Sequence, residues 1–517
     1  MTGIRIRYGA LAVLLAGPTG LAFFSGGYFD EPRAWAGAGA WLLVAVALCG
    51  GATLPRSLNA RLALGGLGLL GAWTLASMAW APAAGEAYHA GQLVLLYAGA
   101  LLAATLLLRE ARALRMLEPA LVAGVVIVIG YGLSERLVPG ILHFARSLTS
   151  QGRLEQPLTY WNATGELAAL GLVLAARLAG DERRPVAMRA LAAAAAPVLG
   201  MGLYLSFSRG ALLACGAGLL VLLAAAPRRE ALEAILVSAG GGALAALTAA
   251  PFRGLTSLSG SLGSREREGI LVLIGLVAIT GLAGWVQGAA ARRRHPAPPV
   301  APRHALRAAL LVSGAGLAAA VLAAALQGTT HQLETGAGRF VTLASDRYDF
   351  WNVAVRAFMH APLIGVGAGG WQVWWLHYRP FPGFARDAHS LPLQTAAELG
   401  LVGLLGLAAV FAGVGLAARQ AHGRAPAPVA GPLAGAVVYA IHAPLDWDWQ
   451  MPAVTLPALL LAGALLAAGE AARPGAEESQ RAAGNGGTSA KKLRSARRKV
   501  AGEPAEERAS ATQARTF

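Results

Sequence analysis

The sequence predicts an all-α integral membrane protein with about 14 transmembrane helices and a large external loop that contains short helices. Of its 517 residues, 56% are hydrophobic and only 14% are charged, whereas about 25% of the residues in a soluble domain are charged. The apolar residues also form long runs, and a helix needs about 20 of them to cross the hydrocarbon core of a bilayer. This composition excludes a disordered protein and an ordinary soluble enzyme.

Fourteen apolar runs are candidates for membrane spans. They lie near residues 9–26, 35–52, 62–80, 91–108, 118–135, 163–180, 190–205, 210–226, 232–250, 269–290, 305–326, 391–418, 430–445 and 452–470. The first run follows Arg5 and Arg7 but lacks a small-x-small cleavage site, so we interpret it as a retained span rather than a signal peptide. The two cysteines both fall within apolar runs, which excludes a disulfide framework and a zinc cluster.

Arginines are concentrated in every second connection between these runs, as expected for loops that stay in the cytoplasm. The arginines on this side are Arg5, Arg7, Arg56, Arg61, Arg109, Arg112, Arg115, Arg183, Arg184, Arg189, Arg228, Arg229, Arg292, Arg293, Arg294, Arg303, Arg307, Arg419 and Arg424. We therefore predict a multi-pass protein of the cytoplasmic membrane with both termini in the cytoplasm. Residues 471–517 contain a KKLRSARRK run and predict a disordered basic tail that is attracted to anionic lipids. Because no aromatic residues are interleaved with this charge, nucleic acid is not an expected partner.

The opposite, external side carries twelve arginines that the topology does not require. They are Arg136, Arg146, Arg153, Arg209, Arg253, Arg265, Arg267, Arg339, Arg347, Arg356, Arg379 and Arg386. The longest external loop, residues 327–390, also contains eleven of the 35 aromatic residues, about twice its share by length. Aromatic side chains of this kind form either an interfacial belt or platforms for sugar rings. We call residues 327–390 the cap and predict that it binds an anionic substrate.

Two of the external arginines occupy positions that favour contact with an anion. Within the cap, residues 346–360 have the apolar spacing of an amphipathic helix, and Arg347 lies on its apolar side, whereas Arg356 lies on the polar side. Arg347 must therefore either meet an anion or extend to water. Arg209 lies in the short connection SFSRG, at a membrane boundary, where snorkelling is again the alternative to phosphate binding.

His389 precedes the helix that begins after Ser390, for which Ser390 is a candidate N-cap and Pro392 suits the first turn. The positive end of the helix disfavours imidazolium, so we expect a neutral His389 that is able to accept a proton. A hydrogen-bonding role is the alternative. The neighbouring Arg386 and the carboxylate of Glu398 inside the next span favour a functional site, because carboxylates within a membrane are costly.

Two further motifs each allow two interpretations. The glycine-rich segment LIGVGAGG, residues 363–370, follows a helix rather than a strand, so we reject dinucleotide binding and predict a turn with close backbone packing. The segment HAPLDWDWQ places His442, Asp446 and Asp448 together, which suits a divalent ion, but its two tryptophans equally suit an interfacial belt. We predict no metal.

Four segments resemble the O-antigen ligase and O-antigen polymerase family of membrane glycosyltransferases. They are RLEQPLTYWNATGEL, SFSRGALL, the cap sequence DRYDFWNVAVRAFMHAPLIGVGAGGW with DAHSLPLQTAAELGLVG, and HAPLDWDW. The resemblance extends from about Arg153 to Trp449, which divides the chain into N-terminal helices (1–152), a ligase-like membrane domain (153–470) and the tail (471–517). An apparent additional helical pair between SFSRG and the cap leaves Arg253, Arg265 and Arg267 without counterparts.

The resemblance implies a metal-independent, inverting transferase that needs no cofactor. It implies that a glycan is transferred from a polyprenyl pyrophosphate carrier to a hydroxyl of a glycan, lipid or protein acceptor at the external face, in cell-surface polysaccharide biosynthesis. Arg209 and Arg347 then contact the pyrophosphate, and His389 is the base that activates the acceptor. We also predict substrate contacts from Arg153, Arg386, Glu398, His442, Asp446 and Trp371. The alternatives are a repeat-unit polymerase of the same family, a transporter or flippase of lipid-linked glycans, and an inactive scaffold.

Overall fold

The structure, a computed structural model, describes residues 2–145, 147, 149–293, 304–327, 336–340 and 345–471. Met1–Gly469 form one compact unit. The predicted basic tail after residue 471 and two stretches of the cap, 328–335 and 341–344, lie outside the described residues, as does Arg146.

The described chain is helical and contains no strand. Its helices are α1 (Thr2–Ala22), α2 (Asp30–Cys49), α3 (Leu58–Ala76), α4 (Ala84–Leu107), α5 (Ala111–Leu137), α6 (Trp161–Gly180), α7 (Val186–Leu205), α8 (Arg209–Ala225), α9 (Arg229–Ala249), α10 (Arg253–Thr256), α11 (Leu262–Arg292), α12 (Ala305–Gln327), α13 (Arg347–His360), α14 (Trp371–Tyr378), α15 (Leu391–Arg424), α16 (Pro426–His442) and α17 (Pro452–Ala471).

Each of the fourteen predicted apolar runs coincides with one of these helices. Among the described residues, twelve helical segments are long and apolar enough to cross a membrane. The two runs outside this set are α1 and the 17-residue α8. The structure therefore confirms an all-α polytopic membrane protein, because only a helix satisfies its own backbone hydrogen bonds in lipid, but it does not confirm the count of 14.

Helices α6 and α17 form the interior of the bundle, since 94% and 89% of their most apolar 18-residue stretches are buried. Helix α6 packs against α5, α7, α8, α9 and α16. It is therefore enclosed by other helices rather than by lipid, and polar side chains at its two ends must find partners within the protein.

Small residues set the close contact of α3 with α15. A Cβ atom at Gly66 would lie 2.7 Å from the carbonyl oxygen of Gly406, and one at Gly413 would lie 2.5 Å from the backbone nitrogen of Ala63. Glycines at such positions allow two membrane helices to approach closely enough for backbone packing. This contact holds the long helix α15, whose first residues border the candidate site.

The glycine-rich segment of the cap fills a break in α15. Gly400 has φ 63°, which interrupts the helix. The carbonyl groups just before this break therefore have no partners within the helix. The backbone nitrogens of Val366 and Gly367 donate to the carbonyl oxygens of Ala397 and Glu398, both at 2.9 Å, and the backbone nitrogen of Leu401 donates to the cap in return. Residues 363–370 are thus a packed turn, which agrees with the rejection of a dinucleotide loop.

The described part of the cap has its own apolar core above α15. The predicted helix over 346–360 is observed as α13, and Val353, Ala354 and Ala357 on its apolar side pack against Trp371 and Trp375 of α14. This core fixes α13 against the first turns of α15, and it thereby brings the start of α13 next to the residues that precede α15.

Candidate functional site

An ion pair across the bundle fixes the start of α13. The Nη2 atom of Arg347 donates to Oδ2 of Asp446 at 2.6 Å, and the hydroxyl of Tyr160 donates to Oδ1 of the same carboxylate at 2.6 Å. Asn162 in turn donates to the Tyr160 hydroxyl at 2.8 Å. Burial and the charge of Asp446 raise the pKa of Tyr160 well above 10.0, so Tyr160 remains a donor at neutral pH.

The sequence predicted that Arg347 either contacts an anionic ligand or extends to water. The structure shows a different partner, because the carboxylate of Asp446 supplies an anion from within the chain. Burial alone would raise the pKa of Asp446, but the positive charge of Arg347 lowers it, so the carboxylate is ionised. Arg356, on the polar side of α13, is exposed as expected and lies 5.9 Å from the ring centre of Tyr378.

Three more arginines lie within electrostatic reach of Arg347. The positive charges of Arg339 and Arg347 act on both Arg153 and Arg209. Burial, followed by the charge of Arg339, lowers the pKa of Arg153 to about 9. Phe340 holds its neighbour Arg339 in place, since its ring contacts that of Phe207 at 5.7 Å. We call Arg153, Arg209, Arg339 and Arg347 the arginine cluster, and a group of like charges of this kind favours a bound anion.

The serines of SFSRG do not complete a phosphate site. The hydroxyl of Ser206 donates to the carbonyl oxygen of Leu203 at 2.7 Å, and Ser208 caps α8 by accepting from the backbone nitrogen of Ala211 at 3.3 Å. Both side chains are buried. The serines therefore shape the turn that places Arg209 at the start of α8, and their hydroxyls are engaged within that turn.

His389 lies beside the ion pair. Its ring stacks on Phe350 at a centroid distance of 4.9 Å and meets the Trp447 ring edge to face at 6.3 Å. Burial lowers the pKa of His389 below its usual 6.5, whereas the charge of Asp446 acts in the opposite direction. The imidazole is therefore neutral at pH 7 and able to accept a proton, as the sequence predicts, but burial is the main cause rather than the helix end.

The backbone around His389 departs from the expected capping. His389 has φ 53°, a left-handed conformation that side chains other than glycine seldom adopt. Ser390 occupies the N-cap position of α15 but its side chain makes no capping hydrogen bond. Instead, the side-chain oxygen of Gln394 accepts from the backbone nitrogen of Ala388 at 2.7 Å. This bond fixes the turn, and the Nδ1 atom of His389 lies 2.9 Å from the carbonyl oxygen of Asp387.

The acidic residues next to His389 belong to a neighbouring polar region. Burial raises the pKa of Asp387 to about 6, and Gln394 donates both to Asp387 at 3.3 Å and to Glu398 at 3.2 Å. Glu398 also accepts from the backbone nitrogen of Trp371 at 3.3 Å. Arg386 forms an ion pair with Glu86 at 2.8 Å. Glu398 therefore ties the cap to α15, and Arg386 ties the cap to α4.

His442 belongs to a separate buried cluster. Its Nδ1 atom lies 2.6 Å from Oδ2 of Asp448 and 3.1 Å from Oε2 of Glu166. The sequence grouped His442 with Asp446 and Asp448, but the structure separates Asp446, which faces Arg347, and adds Glu166 from α6. Potential ligand atoms of the three residues lie within 4.8 Å of one another. Because both carboxylates approach the same ring nitrogen, the arrangement is that of a hydrogen-bonded histidine.

Two of the residues predicted to contact substrate, Trp371 and Arg153, make contacts within the protein. The side chain of Trp371 is fully buried in the cap core, so it presents no face to a sugar. Arg153 donates to the carbonyl oxygens of Ser150 and Thr149 at 2.8 and 2.7 Å, and its guanidinium lies 3.5 Å from the ring centre of Trp161. Arg153 therefore contributes charge to the arginine cluster while its donors hold the loop before α6.

The sequence argument did not assign Tyr160, Trp447, Phe350 or Arg339 to the site. Of these, Tyr160 lies in the segment RLEQPLTYWNATGEL and Trp447 in HAPLDWDW. Each is next to a polar residue at a helix end. Arg339 was one of twelve external arginines, without a feature that distinguished it. Arg253, Arg265 and Arg267 lie at or near α10 and the start of α11, where Arg267 donates to the carbonyl oxygen of Gly263 at 3.2 Å.

Comparison with known proteins adds a family match. Residues 254–408 match a family model described as O-antigen ligase, which supports the assignment of the protein to that family. The matched region contains Arg347 and His389, whereas Arg209 and Asp446 lie outside it. A search of curated proteins found no match. The residues that the structure brings together thus come from both inside and outside the matched region.

Proposed function

Because the O-antigen ligase match implies a glycosyl-transferring enzyme with lipid-linked glycan and acceptor substrates, we propose that this integral membrane protein transfers a glycan from a polyprenyl pyrophosphate carrier to an acceptor hydroxyl. The observation that carries the proposal is the convergence of a neutral histidine, His389, with the arginine cluster at the start of α6. The reaction takes place at the external face of the cytoplasmic membrane, where the sequence predicts the cap.

His389 acts as the general base in this reaction. It takes the proton of the acceptor hydroxyl while the hydroxyl oxygen bonds to the anomeric carbon, and the bond from that carbon to the pyrophosphate breaks with its electrons. A single displacement of this kind inverts the configuration at the anomeric carbon. The stacked ring of Phe350 and the edge of Trp447 fix the plane of the imidazole, which favours one direction for the proton transfer.

Arg347 and Arg209 stabilise the charge that develops on the leaving pyrophosphate. A guanidinium carries five donors in a fixed plane, and Asp446 orients that of Arg347 through Nη2. Such preorganised donors act most strongly where charge appears in the transition state. No metal is required in this proposal, because the arginine cluster supplies the positive charge.

Transport of a lipid-linked glycan fits the structure less well. Transporters bind substrates and ions near the bilayer midplane, often at broken helices, and α15 does contain a break at Gly400. However, backbone groups of the cap fill this break, and the proposed functional residues lie near helix ends. This arrangement favours chemistry at one membrane face.

The proposal is tested with the purified protein, a polyprenyl-pyrophosphate-linked glycan and an acceptor. His389→Ala is expected to reduce the transfer rate by about 10²–10⁴-fold, the typical contribution of a positioned base. The control is His377→Ala, an exposed cap residue whose ring bonds only locally, to the carbonyl oxygen of Val373. Undiminished transfer by His389→Ala would exclude this residue as the base.

A further inference from the structure

The buried histidine of α16 closes a short loop that carries two residues of the site. His442 is the last residue of α16, and its Nδ1 atom donates to Oδ2 of Asp448, six residues later, at 2.6 Å. An ionised carboxylate only accepts hydrogen bonds, so the proton of this bond lies on Nδ1. Between the two residues, the loop carries Asp446, which forms the ion pair of the site, and Trp447, whose ring meets that of the proposed base at 6.3 Å.

The start of α6 holds this loop at two points. Tyr160, the N-cap residue of α6, donates to Oδ1 of Asp446 at 2.6 Å, and Oε2 of Glu166 lies 3.1 Å from Nδ1 of His442. Asn162, which donates to the Tyr160 hydroxyl, precedes Glu166 by about one helical turn, so both lie on the same face of α6. One face of a buried helix therefore contacts both the tip and the first residue of the loop.

The two ends of the loop are also fixed by other helices. The hydroxyl of Thr455 on α17 donates to the carbonyl oxygen of Asp448 at 2.7 Å. At the first end, a Cβ atom at Gly210 would lie 3.1 Å from Nε2 and Cδ2 of His442. The imidazole is thus packed against the first turn of α8, which keeps its other edge directed at the carboxylates.

The side chains of Glu166, His442 and Asp448 are at most 1% exposed. Burying an imidazole with two carboxylates costs free energy that well-packed apolar side chains would not cost. Polar groups that are retained at such a cost can specify a single arrangement of the chain around them. The hydrogen bond from His442 to Asp448 has a defined direction and length, whereas an apolar contact would leave the loop several positions.

We propose that Glu166, His442 and Asp448 form a positioning network that holds Asp446 at hydrogen-bonding distance from Arg347. The inference rests on the proposed glycosyl transfer, in which Asp446 orients the guanidinium of Arg347 toward the leaving pyrophosphate. It also revises the sequence-based expectation that His442 contacts substrate. In the network, none of the three residues touches donor or acceptor, and each acts only through the loop.

An apolar version of the network separates positioning from folding. In the triple variant Glu166→Leu/His442→Leu/Asp448→Val, no buried charge is left without a partner, so the protein is expected to fold. The matched control is His422→Leu, because the Nε2 atom of His422 lies 3.1 Å from the carbonyl oxygen of Ala225 at the opposite end of α8. This control also removes a histidine that joins two helices, but far from the loop.

Two amide variants at one position test the hydrogen bond itself. His442→Asn places an amide nitrogen where Nδ1 lies and so retains a donor to Asp448. His442→Gln has a longer side chain, which places its amide at the position of Nε2, so the bond to Asp448 is lost. The two variants carry the same chemical group and differ only in where it lies.

Thermal unfolding in detergent tests the network independently of transfer. Asp446→Asn is expected to lower the unfolding temperature of the otherwise wild-type protein, because it removes the charge that pairs with Arg347. In the triple variant, the same substitution should cause at most about half of this fall, since Asp446 is no longer held at Arg347. An equal fall in both backgrounds would overturn the proposal.

Transfer by the purified protein tests the functional consequence. In the triple variant and in His442→Gln, kcat should fall about tenfold, whereas KM for the pyrophosphate-linked donor should change less than about threefold because the Arg347 charge remains. His442→Asn and His422→Leu should keep kcat within about twofold of wild type. Adding Asp446→Asn to the triple variant should cause no further loss, because both changes act through one ion pair. Losses that multiply, or wild-type kcat in the triple variant, would overturn the proposal.

The two proposals fail in different ways. If the effect of Asp446→Asn on thermal unfolding is reduced in the triple variant but wild-type protein transfers no glycan, the transfer proposal is wrong and the network still positions Asp446. If wild-type protein transfers glycan but Asp446→Asn lowers the unfolding temperature equally in both backgrounds, the network proposal is wrong and the transfer proposal stands.

Discussion

Helix α6 has a group of buried charges near each end, and the two groups differ in composition. Near Gly180, Arg177 and Arg184 pair with both Glu118 and Asp181 at distances of 3.3–3.9 Å. Near Trp161, the Arg347–Asp446 pair is accompanied by three further arginines, of which Arg339 repels both Arg153 and Arg209.

The surroundings of the first group stabilise the charged form of a carboxylate, whereas those of the second destabilise the charged form of an arginine. At the end of α6, the hydrogen bond from Arg183 and the charge of Arg177 lower the pKa of Asp181 against the effect of its burial. At the start, burial and neighbouring arginines lower the pKa of Arg153. The first network is organised around carboxylates that neutralise its cations, and it joins helices. The second favours an added anion, and a pyrophosphate is the anion that we propose.

The largest predicted effect concerns the network at the end of α6. Arg177→Met leaves two buried carboxylates without this partner, and we expect the free energy of unfolding to fall by about 3–5 kcal/mol. Arg183→Met is the control, because this side chain is 51% exposed and binds the same Asp181; its pair contributes at most about 1 kcal/mol. Thermal unfolding in detergent measures both, and equal losses in the two variants would contradict the comparison.

Removing the Arg347 cation near the start of α6 should impair transfer. For Arg347→Ala we expect kcat to fall by about 10²–10³-fold, which corresponds to about 3 kcal/mol of transition-state stabilisation. Arg356→Ala, on the exposed side of the same helix, should change kcat by less than about twofold. A similar loss in both variants, measured under single-turnover conditions, would show that α13 rather than the Arg347 charge is responsible.

Neutralising Asp446 distinguishes two proposed effects of this carboxylate, which orients Arg347 and also competes with the pyrophosphate of the donor for it. Asp446→Asn retains an oxygen that accepts from Tyr160 but loses the charge that orients Arg347, so kcat should fall about tenfold, in line with the value of a charged hydrogen bond. Loss of the negative charge should also lower KM for the pyrophosphate-linked donor. A rise in KM, measured with the same assay, would mean that Asp446 does not compete with the donor for Arg347.

The smallest predicted effect is on the pH profile. Because the pKa of His389 lies below 6.5, the proportion of neutral base stays high as pH falls to 6.5, and the transfer rate at pH 6.5 should remain above half of its plateau value. Below that pKa the rate should fall about tenfold for each pH unit as the base becomes protonated. A half-maximal rate at or above pH 6.5 would contradict the assigned protonation.

Local patterns in the sequence were sufficient to predict individual structural elements of the cap. The spacing of apolar residues predicted the helix that begins at Arg347, and the glycine-rich segment predicted close backbone packing. The pairing of Arg347 with Asp446 was not accessible in the same way, since 99 residues separate them along the chain and each had another plausible partner. For the same reason, the sequence could not separate Asp446 from His442 and Asp448.

The sequence by itself determined that this is an all-α membrane protein, because long apolar runs must satisfy their backbone hydrogen bonds as helices in lipid. It also identified His389, Arg209 and Arg347 as candidate residues. The tertiary structure alone decided which charges meet and where α15 breaks. These features depend on contacts between distant helices, which hydropathy and local spacing do not specify.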